Sequence, residues 1–204
     1  AAVPLAFMAV FAGPIALAWL GPREDLAQLP ALIGLTAFWA HLHVTTGPGS
    51  AIHRGTGRIG NEFVYHALRI TGLAVAIGGS VLLLGPSAQA LIGGLAIGNA
   101  TAALCYLAFN QRCRGLPLMA LFREVLLPGF AAYPVAAVLF ACWYGLAPAT
   151  PGRWETLAAL LVLGAAYVAL YAAVGWLWLF DAAEREKVAR FVGRFAPFLN
   201  WRNT

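Results

Sequence analysis

The sequence predicts an all-α fold: a polytopic membrane helical bundle of six transmembrane helices with both termini in the cytoplasm. Three observations carry this expectation. Of 204 residues, 61% are apolar and only 10% are charged, against about 45–50% apolar and roughly 25% charged in a soluble domain. The charges leave long uncharged stretches: Ala1–Pro22, Leu26–His53, Ile70–Gln111, Val125–Gly152 and Thr156–Phe180. Eleven of the 13 basic residues fall on or near one side of the helix order these stretches imply. A domain of this size cannot hide so much apolar surface from water. Disorder and a nucleic-acid module both need polar or basic surface. The net charge of +5 is therefore read against membrane lipids, and no nucleic-acid partner is expected.

A spanning helix needs about 20 mostly apolar residues. The first span is Ala2–Leu20, interrupted by Pro4 and Pro14, and the second is Leu26–Thr46. The stretch from Ile70 to Gln111 is about twice the length of one span at ~1.5 Å rise per residue. Gly85-Pro86-Ser87 breaks it with a tight-turn signal, so it reads as a helical hairpin of Phe63–Leu84 and Ala88–Phe109. The fifth span is Leu121–Leu146, with Pro128 and Pro134 inside it, and the sixth is Thr156–Phe180. Proline removes a helical hydrogen bond and kinks the helix, and such breaks recur in transporters that bend between states. Transmembrane strands are about 10 residues long and strictly alternating, and nothing here alternates for long.

Basic residues set orientation. Loops Gly21–Asp25, Gly85–Ser87 and Ala147–Glu155 hold only Arg23 and Arg153. The opposite side holds Arg54, Arg58, Arg112, Arg114, Arg123, Arg185, Lys187, Arg190, Arg194 and Arg202, with Arg69 just inside the third span. The positive-inside rule places that side in the cytoplasm. The chain opens directly on a span with no basic leader, unlike a signal peptide, so upstream sequence is expected. Beyond Phe180, Val188, Phe191, Val192 and Phe195 fall at i, i+3, i+4, i+7. That is one face of a helix, with Lys187, Arg190 and Arg194 lying off it. Residues 181–204 then form either an amphipathic helix on the anionic cytoplasmic leaflet or a solvated tail.

Several strings carry no chemistry. Gly55-Thr-Gly57-Arg-Ile-Gly60 matches G-x-G-x-x-G, but a dinucleotide site needs a preceding strand and a βαβ unit. Here the glycines read as a tight cytoplasmic turn. Asn99-Ala-Thr101 is a sequon buried in a span. Gly94 and Gly98 form a small-x-x-x-small pattern for internal helix packing. Cys105, Cys113 and Cys142 fit no zinc or redox spacing and read as packing residues. Neither a metal nor a cofactor is expected.

The histidines admit two readings. His41 and His43 are two apart and point in different directions on a helix; His53 lies in a loop and His66 opens the third span. They are interfacial or cavity-lining polar groups, or they ligate a haem near the cytoplasmic face, which makes a membrane enzyme or haem protein one alternative. No acid, base and nucleophile come together; Ser50 and Ser80 lack a base. The chain is therefore not read as an enzyme. Intramembrane polar residues are functional candidates by default: His41, His43, Thr45, Thr46, His66, Arg69, Asn99 and Thr101. Arg69 either snorkels to the interface or faces a cavity and offers a guanidinium to a phosphate, which arginine grips through two parallel hydrogen bonds.

A family resemblance follows from the order of local strings. Ala18-Trp19-Leu20-Gly21-Pro22 closes the first span, and Thr46-Gly-Pro-Gly-Ser-Ala-Ile-His-Arg-Gly-Thr-Gly-Arg58 follows the second. Then come a hairpin with a three-residue turn, Tyr133-Pro134, two trailing spans and the charged Asp181-Ala-Ala-Glu-Arg-Glu-Lys187. This order resembles the C-terminal part of bacterial polysaccharide and oligosaccharide flippases. Their superfamily also holds multidrug extruders and lipid II flippases. The resemblance covers most of the chain and rests on helix order and short strings.

The resemblance implies a fragment of a 12–14-helix two-lobe transporter. Residues 1–110 would be four helices of the C-terminal lobe, 111–180 two trailing helices and 181–204 a cytoplasmic tail. The missing N-terminal half would be a partner. The implied activity is flipping a polyprenyl-pyrophosphate-linked oligosaccharide across the bacterial inner membrane by alternating access, with no covalent chemistry. The implied anion-binding groups are Arg69, Arg54 and Arg58, and the intramembrane polar residues His41, His43 and Asn99 join them as candidate substrate-binding residues. A multidrug antiporter of the same superfamily is a further alternative; it predicts an acidic residue deep in a bundle.

Overall fold

The computed structural model describes residues 2–22, 27–147 and 151–180, together with 182, 183, 185–188 and 190. The described residues form helices and turns, with no strand among them. Four helices are long and apolar enough to cross a membrane: Gly60–Leu84, Ala88–Cys113, Leu118–Leu146 and Arg153–Trp178. A bent pair at the start of the chain makes a fifth if it is taken as one span.

That pair, α1 (Ala2–Val10) and α2 (Ala12–Leu20), replaces the single first span expected from sequence. The two meet at 77°. Pro14 accounts for the position of the break. It has no N–H to offer the Val10 carbonyl four residues back, and its ring crowds that carbonyl. The chain turns at Phe11, whose own N–H still reaches the Phe7 carbonyl at 2.8 Å.

Helix α3 (Leu29–Gly55) corrects the second span. It begins with proline in its first turn, where a missing N–H costs nothing. It then runs straight through Pro48 to Gly55, so most of the loop expected after Thr46 is helical. The tight turn is shorter and lies at Thr56–Ile59, where Gly57 takes φ +72°. Helix α3 is long enough to span, but it is not among the helices apolar enough to qualify. Three histidines, Arg54 and a threonine pair lower its apolarity.

Helices α4 (Gly60–Leu84) and α5 (Ala88–Cys113) form the expected hairpin. Gly85 closes α4 with φ +76°, a conformation open to glycine. The Ser87 hydroxyl accepts the Ala90 N–H at 3.1 Å, capping α5. The hairpin is close-packed because glycines replace side chains along the seam. A Cβ on Gly94 would lie 2.7 Å from Ile77 Cα, and one on Gly98 would lie 2.9 Å from the Gly72 carbonyl oxygen. Small residues permit such close backbone approach where lipid supplies no hydrophobic drive between helices.

The fifth expected span is a composite. Helix α6 (Leu118–Leu121) passes into a π-helical turn at Phe122–Leu126, then α7 (Leu127–Phe130), then α8 (Ala132–Leu146). Pro128 and Pro134 each remove one i→i−4 bond at these joins. Helix α9 (Arg153–Val174) ends in a second π-helical turn, Gly175–Leu179. Its tyrosines brace the broken helix: Tyr171 Oη donates to the Pro128 carbonyl at 3.1 Å and Tyr167 Oη to the Ala132 carbonyl at 3.3 Å.

Helix α5 is central, packed against both α3 and α4, while α1, α8 and α9 share a second core around Phe11, Ala136 and Tyr167. Helices α3 and α4 barely touch each other. Both lean on α5 and diverge, and this opens a cleft between them. Most of the amphipathic stripe expected in the tail (Phe191, Val192, Phe195), like the start of the second span at Leu26, lies outside the described residues.

Candidate functional site: a polar cleft between two helices

The cleft has a volume of about 460 Å³, within the range of roughly 300–1,000 Å³ that ligand sites occupy. Polar side chains stand on both of its walls. Helix α3 contributes His43, Thr46, Ser50 and Arg54, and helix α4 contributes Glu62, Tyr65, His66 and Arg69. The α4 residues stand at i, i+3, i+4, i+7, so one helical face presents them all.

Backbone chemistry adds to this polarity. Pro48 has no N–H, which leaves the Val44 carbonyl without its helical partner. Val44 lines the cleft. Irregular backbone at membrane depth is tolerated where it faces a water-filled cavity. The two threonines after Val44 bond back to their own helix: Thr45 Oγ1 donates to the Leu42 carbonyl and Thr46 Oγ1 to the His43 carbonyl, both at 2.6 Å.

Hydrogen bonds hold the walls at three levels. Innermost, Arg69 Nε donates to Asn99 Oδ1 at 2.9 Å, and Asn99 Nδ2 donates to the Leu95 carbonyl at 2.8 Å. Asn99 is 2% exposed. It is an anchored acceptor on α5 that aims the arginine into the cleft. The terminal guanidinium nitrogens of Arg69 make no hydrogen bond to the described residues. In the middle, Tyr65 Oη and His43 Nδ1 share a hydrogen bond of 2.5 Å, and the Tyr65 ring lies 4.7 Å from that of Tyr106 on α5. At the end of α3, Arg54 Nε faces Glu62 Oε1 at 3.4 Å. Ser50 Oγ donates to the same carboxylate oxygen at 2.7 Å and accepts from Arg54 Nη2 at 3.3 Å. With Arg54 64% exposed, such an ion pair contributes about 0–1 kcal/mol.

Behind this end, His53 is buried and bonded to Asn110 on α5. Asn61 Nδ2 lies 3.4 Å from His53 Nδ1. A Cβ on Gly49 would lie 2.7 Å from Asn110 Nδ2, so glycine leaves room for the Asn110 amide in its present place.

The cleft thus brings together Arg54, Arg69 and His43, with Asn99 directly behind Arg69. Arg58 is exposed in the α3–α4 turn and does not line it. His41 faces the opposite way. It is 1% exposed, stacked on Tyr133 at 5.5 Å between ring centroids, with Nδ1 3.1 Å from the Tyr133 hydroxyl. His66, an intramembrane polar candidate from the sequence, also lines the cleft, while Ser50, Glu62 and Tyr65 are additions to the candidates. Their signal was present as a polar stripe of helical period facing a second polar stripe on α3. Among the described residues, no three His, Cys, Asp or Glu side chains gather to hold a metal, and the three cysteines are free and exposed.

Chemically, the cleft offers two guanidinium groups on one wall each, neutral donors between them, and one carboxylate at its end. Guanidinium groups at two depths match the oxygens of a multiply charged anion. No protein-family model, curated protein or solved structure matches the chain.

Proposed function

We propose that the chain is part of a bacterial inner-membrane flippase for a polyprenyl-pyrophosphate-linked oligosaccharide, and that the α3–α4 cleft receives the pyrophosphate. The observation that supports this is the placement of Arg54 and Arg69 at two depths of one polar cleft in an otherwise apolar bundle. Arginine matches phosphate oxygens in a planar fork. Buried charge in a membrane is costly and is retained where it faces a substrate path.

In this reading α1 and α2 form one bent span and α3 forms a polar-faced one, which gives six spans with both termini cytoplasmic. The exposed end of the cleft, at Arg54, then opens to the cytoplasm, where a lipid-linked sugar is assembled. Arg69, further along α4, is the next station for the phosphates. The lipid tail stays in the bilayer while the headgroup moves through the hydrated cleft. Alternating access requires a second helical bundle facing this one, so further helices are the implied partner. Rocking of the two bundles, driven by an ion gradient or the membrane potential, moves the headgroup between leaflets. The proline breaks at Phe11 and Ala131 are where these helices bend.

The test is transport by the full-length protein in proteoliposomes containing a fluorescent lipid-linked oligosaccharide. The reading expects protein-dependent loss of the label from the leaflet where it was placed. Failure to move it, with normal polysaccharide export in cells lacking the protein, contradicts the reading.

A further inference from the structure

Among the described residues, Glu62 is the one carboxylate lining the cleft, and it stands where an anionic ligand would place its oxygens. Its Oε1 takes the Ser50 hydroxyl at 2.7 Å and faces Arg54 Nε at 3.4 Å. Arg54 closes the triangle through Nη2 to Ser50 Oγ at 3.3 Å. The carboxylate is 18% exposed while Arg54 is 64% exposed, so the acid is the tucked-in partner and the arginine the reachable one. A phosphate oxygen offers Arg54 and Ser50 the same acceptor geometry with more negative charge. Arg69 differs: its partner Asn99 is neutral and engages only Nε, so no carboxylate needs displacing there.

We propose that Glu62 is an internal surrogate for the phosphate, a latch that occupies Arg54 and Ser50 and ties α3 to α4 until a phosphate-bearing headgroup displaces it. This rests on the phosphate-binding reading of the cleft and adds its regulation. The His43–Tyr65 hydrogen bond still ties α3 to α4 in the middle of the cleft, so releasing the latch opens the Arg54 end, where Glu62 is the only charged tie between the walls among the described residues. Ligand binding and opening are thereby one event. The arrangement favours displacement because an exposed ion pair is weakly held, whereas a phosphate carries enough charge to outcompete a single carboxylate.

The experiment measures binding of inorganic pyrophosphate, and separately of polyprenyl pyrophosphate in nanodiscs, to the full-length protein and its variants. Helical content by circular dichroism monitors folding. Glu62→Asp is the decisive variant. It keeps the charge but shortens the arm, so it withdraws from Arg54 and Ser50. The latch predicts that Glu62→Asp and Glu62→Gln both tighten binding, by about two- to fivefold, the factor corresponding to release of one exposed ion pair. Ser50→Ala removes a donor that the carboxylate and the phosphate both use, so it shifts affinity less than either Glu62 variant. A Glu62→Asp protein with wild-type affinity and a tighter Glu62→Gln protein would show a simple field effect and overturn the latch while leaving the cleft a phosphate site. No binding by any form overturns the latch together with the phosphate reading. Tightening for the lipid alone identifies the headgroup as the displacing ligand; tightening for both identifies the phosphates themselves.

Discussion

Arg69 lies seven positions after Glu62 on the same face of α4, fixed by a neutral acceptor and open at its far nitrogens. A snorkelling arginine would reach for water at the interface. This one is bonded to a 2%-exposed asparagine on the neighbouring helix and lines the cleft. Replacing Arg69 with Ala is expected to lower the transport rate about tenfold or more, since hydrogen bonds to charged groups contribute roughly 1.5–3 kcal/mol. Replacing it with Lys restores part of the rate, because charge is kept while the planar fork is lost. Initial rates in proteoliposomes, normalised to inserted protein, check this order; equal rates for all three forms would place Arg69 outside the substrate path. His41 and Arg58 are different cases. Residue type marked them as candidates, but a two-residue offset on a helix sends His41 to the α8 side, and a turn position leaves Arg58 in solvent.

At the scale of helices, the α4–α5 seam depends on individual glycines. Gly93 and Gly94 are adjacent, yet a Cβ on Gly93 meets nothing within 4 Å, while one on Gly94 would lie 2.7 Å from backbone at Ile77. Gly94→Ala is expected to destabilise the hairpin by about 1–3 kcal/mol, the usual cost of overpacking. Gly93→Ala should be neutral or slightly stabilising, because alanine is the better helix former. Thermal unfolding in detergent resolves the pair, and a reversed order would refute the seam. The hairpin, its three-residue turn and its small-residue packing were all legible in the sequence, because turn chemistry and spacing are local. The end of α3 was not. Gly47, Pro48 and Gly49 read as punctuation, but Pro48 costs only the Val44 bond, and Gly49 leaves room for the Asn110 amide. The first span failed in the opposite sense. Pro14 signalled a kink, and tertiary packing of Phe11 into the α1–α8–α9 core turned it into a 77° corner. The polar stripe of α4 was legible in part: His66 and Arg69 stand out by residue type, whereas Glu62 and Tyr65 join them only through the helical period.

For the whole molecule, Arg153 Nε donates to the Ala18 carbonyl at 2.8 Å, which ties the start of α9 to the end of α2. The other end gathers Arg54, His53 and Asn110 where α3, α4 and α5 meet. Exposed aromatic residues mark both ends: Trp19, Tyr144 and Trp154 at the first, Trp176 and Trp178 near the second. Trp and Tyr favour the membrane–water interfaces, so the bundle has the charge asymmetry and the aromatic belts of a protein set across a bilayer. The cleft opens at the arginine-rich end, and the account stands on what enters there. The most direct measurement is photocrosslinking of the full-length protein in nanodiscs with a polyprenyl pyrophosphate carrying a photoreactive group beside the phosphates, followed by peptide mapping. The account predicts adducts on the cleft-lining segments, from His43 to Arg54 of α3 and from Glu62 to Arg69 of α4, competed away by unlabelled lipid. Adducts confined to the outward faces of α8 and α9, or undiminished by competitor, would contradict it.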